Sequence, residues 1–310
     1  MQHRATPDTY PPGGHLTPSR CIAVAQTCPV PGNVAANLDQ HLALAGMAAA
    51  AGAQVVVFPE LSLTGYELAR AAELAFERLD TRLEPLLALA RQARVTLVVG
   101  APVRLEGRLH LGAAVLDADG GLDWYTKRHL GAFGPEALAD ALDRVLPPPE
   151  GSVFAPGAHD PPVHLTRGTA RVAICADAQR AEHAAAAATT GAAAYLVGAF
   201  IVHSAWEADA AVLRQRAAEH AMLVAMANYG APSGGMAAAG RSSIWDERGE
   251  LVLELEPLGA GVGIAMETAE GWKGLVRMVG EGALEGMVER GGLTRGIRSQ
   301  ACLREVVERP

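Results

Sequence analysis

The sequence predicts an α/β domain. Three observations carry that reading. Short apolar runs rich in β-branched residues, such as VVVF (55–58) and RVAIC (171–175), lack the polar/apolar alternation of a half-exposed strand, so both faces of their sheet must be covered. Alanine-rich helical segments alternate with these runs early in the chain and again late. Two stretches, about 109–125 and 242–255, alternate and carry Gly-containing turns, as β-hairpins do.

Taken in order, residues 1–20 are polar, rich in proline, and lack the apolar core of a secretory signal, so they read as a flexible arm. CIAVAQ (21–26) reads as a buried strand. Asn33 stands where an N-cap belongs, ahead of a helix that runs to about Ala51 and is closed by Gly52. VVVF follows as a core strand. A helix is expected over 68–93, broken by Pro85. VTLVVGAP (95–102) is the next strand, then the first hairpin with its turn at 118–121. Residues 131–162 hold many Pro and Gly and read as a long loop with a short helix; loops of that length in a compact domain are usually functional. RVAIC, a strand near 193–199, MLVAMAN (222–228) and VGIAM (262–266) complete the strands, with a helix at about 205–219 and the second hairpin between. The division is an arm at 1–20, one domain at 21–266, and a tail or oligomerisation arm at 267–310.

Composition excludes several classes. Half of the residues are hydrophobic and 19% are charged, which is not a disordered chain. The net charge is −8 with no basic stripe, so nucleic acid is not an expected partner. The uncharged run 184–202 approaches the length of a membrane span, but its first half is Ala and Thr, so it reads as a small-residue helix followed by a buried strand, and no membrane is expected. Cys21, Cys28, Cys175 and Cys302 form no CxxC pair and have no His at ligand spacing. Free thiols, a cytoplasmic location and no metal are the expectation. No GxGxxG follows a strand and no Walker-type loop occurs, and the SGG at 233–235 lacks the residues of an ATP-pyrophosphatase loop.

Three residues stand just past the C-terminal ends of strands: Glu60 after VVVFP, Lys127 after LDWYT, and Cys175 at the end of RVAIC. Singly, each has an ordinary explanation: a loop acid, an exposed lysine, a small core side chain. Together they place an acid, a base and a thiol on the edge where α/β sites form. A helix beginning after Cys175 and a neighbouring ammonium would favour the thiolate. Glu60 could take the thiol proton and return it to a leaving amine, while Lys127 and the N–H of Ala176 stabilise an oxyanion. The set suits attack on a carbonyl or nitrile carbon without a cofactor. A Cys–His pair with His129 explains fewer residues.

These segments resemble the nitrilase superfamily of carbon–nitrogen hydrolases, in its amidase-like branch. FPELSLTGYE (58–67), YTKRHL (125–130) and VAICADAQ (172–179) are similar to the family's glutamate, lysine and cysteine motifs in the same order, and RQRAAEHAMLVAMANYG (214–230) and AGRSSIWDERGEL (239–251) resemble two supporting segments. The resemblance implies a four-layer αββα sandwich, with Glu60 as general base, Lys127 as oxyanion-stabilising cation and Cys175 as nucleophile. It also implies a second glutamate about nine residues after the lysine, which falls on Glu136, and assembly as a homodimer or a higher homo-oligomer.

The chain also departs from the family pattern. Ala176–Asp177 replaces the Trp–Glu of nitrilases, which favours amide over nitrile hydrolysis. The positions where relatives acting on carboxylated substrates place an arginine hold Ala178 and Gln179, which weakens an N-carbamoyl amino acid reading. The expected activity is hydrolysis of a small linear amide by water through a thioester, with release of ammonia or an amine. Carbamoyl or nitrile hydrolysis, acyl transfer to an amine, and a non-catalytic scaffold stand as alternatives. Tyr66, Phe133 and Trp206 are candidate pocket walls.

Overall fold

A computed structural model describes residues 20–280. The arm at 1–19 and residues 281–310, with Cys302, lie outside the described residues. Fourteen strands and six α-helices follow one another as β1 (Cys21–Gln26), α1 (Val34–Ala50), β2 (Val55–Val57), α2 (Ala71–Leu74), β3 (Phe76–Glu77), α3 (Glu84–Ala93), β4 (Thr96–Leu105), β5 (Arg108–Leu116), β6 (Leu122–Thr126), β7 (Val163–His164), β8 (Thr169–Ile174), α4 (Ala176–Gln179), α5 (Ala181–Thr189), β9 (Ala194–Gly198), α6 (Trp206–His220), β10 (Leu223–Ala227), β11 (Ser243–Trp245), β12 (Leu251–Glu254), β13 (Gly261–Thr268) and β14 (Gly271–Met278).

They form two sheets. The first has the order β14-β13-β1-β2-β4-β5-β6, with β3 beside β4; the second has the order β12-β11-β10-β9-β8-β7. At the centre of each sheet three strands run parallel: β1, β2 and β4 in one, β8, β9 and β10 in the other. Period-2 side-chain alternation then sorts residues into layers. Ile22 and Val24 of β1 meet Val172, Ile174, Leu196 and Ala225 between the sheets. Cys21 and Ala23 face outward onto Leu44 and Ala48 of α1 and Leu86 and Ala90 of α3. Ala173, Tyr195, Val197 and Met226 face outward onto Ala184 of α5 and Leu213 and Ala217 of α6. The result is an αββα sandwich, as the family resemblance implies, and its alanine content has a use: small side chains let helices lie close to the sheets.

Two local expectations change. Asn33 does cap α1, accepting from the N–H of Ala36, but the single helix expected over 68–93 is five pieces: a 3-10 turn at Leu68–Arg70, α2, the short strand β3, a second 3-10 turn at Thr81–Leu83, and α3. Pro85 begins α3 rather than breaking a longer helix, which is where proline's fixed φ and missing N–H are tolerated. The sheet also runs past residue 266: β13 extends to Thr268 and pairs along its length with β14 at the sheet edge, so residues 267–278 continue the fold. The uncharged run 184–202 divides between the end of α5 and the buried strand β9, and no helix among the described residues is long and apolar enough to cross a membrane.

Candidate active site

The site is assembled where the strand ends of both sheets meet. β1 and β10 are tied there by a bridge between Thr27 and Tyr229. β2 ends at Val57, and the chain turns through Phe58, Pro59 and Glu60 into Leu61, which adopts a positive φ of 51°. This turn fits between the sheets because two strands offer glycine: a Cβ on Gly100 of β4 would stand 2.3 Å from the Pro59 carbonyl oxygen, and one on Gly198 of β9 would stand 2.7 Å from that of Phe58. Two hydroxyls secure it. Tyr229 donates to the main-chain oxygen of Glu60, and Ser62 bridges the N–H of Gly100 and Nε2 of the buried His41.

Lys127 follows β6, its backbone fixed by the Leu111 oxygen and the Gly157 N–H. Its ammonium is fully buried and donates to Glu60 Oε1 at 2.6 Å and to Glu150 at 2.8 Å. Glu150 sits in the 3-10 turn Glu150–Ser152 of the long loop and accepts further bonds from the Tyr66 hydroxyl at 2.9 Å and the Gly131 N–H at 2.7 Å. Cys175 leaves β8 with φ 44° and ψ −101°, a sparsely populated conformation that costs a non-glycine residue about 1–3 kcal/mol. The residue as a whole is half-buried, and its thiol lies 3.9 Å from the Phe200 carbonyl oxygen. Phe200 packs at 5.0 Å against Tyr66, 5.7 Å against Phe133 and 5.1 Å against Tyr229, so four aromatic rings form one wall.

The charges divide unevenly. Burial raises the Glu60 carboxyl; Lys127 opposes this and Glu150 adds to it, leaving the group at about 8. Burial also raises Glu150, but the Lys127 ammonium, the Gly131 N–H and the Tyr66 hydroxyl outweigh it and hold the group below its usual value. Burial lowers Lys127, and the two carboxylates more than reverse that, so the ammonium stays charged. The Cys175 thiol is pushed well up, first by burial and then by the negative charge of Glu60, against the pull of Lys127. The expectation that a following helix would favour the thiolate does not hold here. α4 has only four residues, and burial and the charge of two carboxylates outweigh the pull of Lys127 on the thiol. The resting site therefore pairs Glu150⁻ with Lys127⁺, keeps the thiol protonated, and leaves Glu60 as the group that titrates. Glu60 Oε2 is buried with no hydrogen-bond partner among the described residues.

Of the residues singled out in the sequence, the structure brings together Glu60, Lys127 and Cys175, with Tyr66 and Phe133 beside them and Ala176 opposite Gly131. Two others lie elsewhere. Glu136 is exposed in the first turn of a 3-10 segment, Pro135–Ala139, and the second carboxylate on Lys127 is Glu150. Trp206 opens α6 and is buried in the layer between that helix and the second sheet, with the Arg241 guanidinium 4.8 Å from its ring centroid. Sequence reasoning missed Glu150, Phe200 and Tyr229. Glu150 did carry a signal: it follows three prolines in the loop already expected to be functional, a rigid setting for a glutamate.

Comparison with known proteins identifies the family. The model of the carbon-nitrogen hydrolase family matches residues 21–273. A protein of Pseudomonas protegens named as a hydrolase in the pqqF 5′ region is 32% identical over 229 residues, covering 72% of this chain and 74% of that one. A cysteine-to-serine mutant of an amidase from Nesterenkonia AN1, of the nitrilase superfamily, superposes with a TM-score of 0.69 at 26% identity, over 83% of this chain and 95% of that one. A glutamate-to-glutamine mutant of the same amidase, carrying the acetamide moiety of fluoroacetamide on its active-site cysteine, gives 0.68 at 25% identity over 80% and 90%. The chain thus belongs to the carbon-nitrogen hydrolase family of the nitrilase superfamily, and is a hydrolase of C–N bonds other than peptide bonds.

Proposed function

We propose that the protein hydrolyses a small, linear, uncharged amide through an acyl thioester on Cys175. The observation that carries this reading is the buried chain Glu60–Lys127–Glu150 beside a neutral thiol. Ionised Glu60 takes the Sγ proton as sulfur attacks the amide carbon. Lys127 has three N–H groups and spends two on carboxylates, leaving one for the oxyanion together with the N–H of Ala176. Collapse of the tetrahedral adduct breaks the C–N bond, and Glu60 returns its proton to the departing ammonia. Water then attacks the thioester with Glu60 again as base, the acid leaves, and the thiol is restored.

An uncharged substrate is favoured because Lys127, the cation of the site, is already matched by Glu150, and Arg180, the first arginine after Cys175, is exposed. The aromatic wall suits a short aliphatic group, and the Nesterenkonia amidase carries an acetamide moiety at its own cysteine. Ammonia release should be measured over a panel of short amides, N-carbamoyl amino acids and nitriles, with Cys175→Ala as control. Release from short amides that Cys175→Ala abolishes is the expected result. Unchanged release by that variant, or turnover of carbamoyl acids alone, would overturn the reading.

A further inference from the structure

A second buried polar cluster lies beside the site, and the proposed chemistry does not use it. Its centre is Asp177, two residues after Cys175 and fully buried. Asp177 Oδ1 accepts the main-chain N–H of Arg128 at 3.2 Å, the main-chain N–H of His129 at 2.8 Å, and Nδ1–H of His129 at 2.9 Å. Oδ2 accepts the Tyr125 hydroxyl at 2.7 Å and the N–H of Ile174 at 3.2 Å. The five donors come from the two residues on the far side of Lys127, from one residue two positions before it, and from the residue that precedes Cys175.

The donors behind Tyr125 are ordered. Since the Tyr125 hydroxyl gives its proton to Asp177, its oxygen must accept from Nε2 of His183, 2.8 Å away. His183 Nδ1 must then accept from the Tyr195 hydroxyl at 2.7 Å. Burial lowers the His183 pKa, which agrees with the neutral imidazole this order requires. Tyr195 belongs to β9 and His183 to α5, so the chain anchors the Asp177 carboxylate to the second sheet and its helix layer.

We propose that Asp177 is the positioning residue that fixes the Lys127 turn to the Cys175 elbow, with Tyr195, His183 and Tyr125 fixing its carboxylate in turn. Lys127 and Cys175 come from different sheets, β6 and β8, and Asp177 is the side chain that hydrogen-bonds the backbone next to both. The strained φ of Cys175 needs such a tie. The inference rests on the proposed roles of Lys127 and Cys175.

Two variants of the full chain test it, Asp177→Asn and Tyr125→Phe. An asparagine at 177 presents an NH₂ where one set of donors now points, so it breaks one half of the tie, while Tyr125→Phe removes one donor and leaves the carboxylate. Four quantities are compared with the parent: kcat and KM on the best amide of the panel, the rate of iodoacetamide alkylation mapped to Cys175, and the thermal midpoint. Misplacement by about 1 Å costs on the order of 100-fold, so kcat of Asp177→Asn should fall about that much with KM within about threefold. Its Cys175 alkylation rate should change as well, and Tyr125→Phe should lie between it and the parent. A merely structural role moves the thermal midpoint and leaves kcat and alkylation per folded molecule unchanged, and that result would overturn the proposal. If Asp177→Asn does not fold, Tyr125→Phe decides alone by the same criteria. Cys175→Ala, run in parallel, separates the two failures: an active Cys175→Ala removes the proposed function and this inference with it, whereas an inactive Cys175→Ala beside a fully active Asp177→Asn removes only the positioning role.

Discussion

Two buried polar clusters meet at the turn that carries Lys127, and they differ in how completely their hydrogen bonds are closed. Around Asp177, both carboxylate oxygens are taken up by five donors. Around Lys127, two carboxylates share one ammonium, and Glu60 keeps a buried oxygen with no partner among the described residues. A closed network has one low-energy arrangement and rigidifies the backbone it touches. The open one leaves Glu60 as a titratable group, raised to about 8 by burial and by the charge of Glu150 against the pull of Lys127. The difference separates groups that react from groups that hold.

Breaking the open cluster should have the largest effect. Glu60→Gln keeps a partner for Lys127 and removes the base, so kcat on a short amide should fall by at least about 100-fold, in the range expected for a positioned acid–base group. In the parent, the base form of Glu60 forms as pH rises, so log kcat/KM should rise with pH up to about 8 and flatten above it. That limb should vanish in Glu60→Gln. A parent profile flat from pH 6 to 9 would contradict the assignment.

Glu150→Gln sharpens the comparison between the two carboxylates. Glu150 contributes negative charge that raises Glu60, so removing it should move the acid limb to lower pH while lowering kcat by about 10-fold or more through looser placement of Lys127. Glu136→Gln, at the exposed position, should leave both the limb and kcat within twofold of the parent, by the small effect typical of surface sites. Equal losses in the two variants would refute the assignment of Glu150 to Lys127.

The smallest expected effect is on stability alone. His41 lies under the Glu60 turn, stacked 4.3 Å from Phe58 and bonded to Ser62 and the Asn37 carbonyl. Burial lowers its pKa from 6.5 to about 4. The unfolded chain binds this proton more readily than the folded one, so its contribution is intact above pH 6.5 and is lost as pH falls toward 4, by up to about 3 kcal/mol. Urea unfolding of the parent and of His41→Gln at pH 7 and pH 5 should show a smaller pH loss in the variant. An equal loss in both would place the acid sensitivity elsewhere.

Much of this was legible in the sequence because it rests on short-range pattern. Buried strands, the Asn33 cap and the strand-end positions of Glu60, Lys127 and Cys175 follow from local composition and turn chemistry. Glu150 was not legible by counting from Lys127, because the loop between them is closed by tertiary bonds such as Gly131 N–H to the carboxylate, which no spacing rule encodes. Trp206 reads as a wall or as core equally well until the face of α6 is known. The Cys175 thiol is harder still: the helix after it argues for a thiolate, and the burial and paired carboxylates that win come from other elements of both sheets.

The central claim is that Cys175 is the nucleophile and that Glu60 governs its proton. The most direct test is mass spectrometry of the parent and Glu60→Gln proteins after incubation with fluoroacetamide, with the modified peptide mapped. One acetamide moiety should add at Cys175, more slowly in Glu60→Gln than in the parent because the base is gone, with none at Cys21 or Cys28, whose thiols burial raises to about 11 and on which no carboxylate acts. Addition at another residue, with Cys175 left unmodified, would contradict that claim.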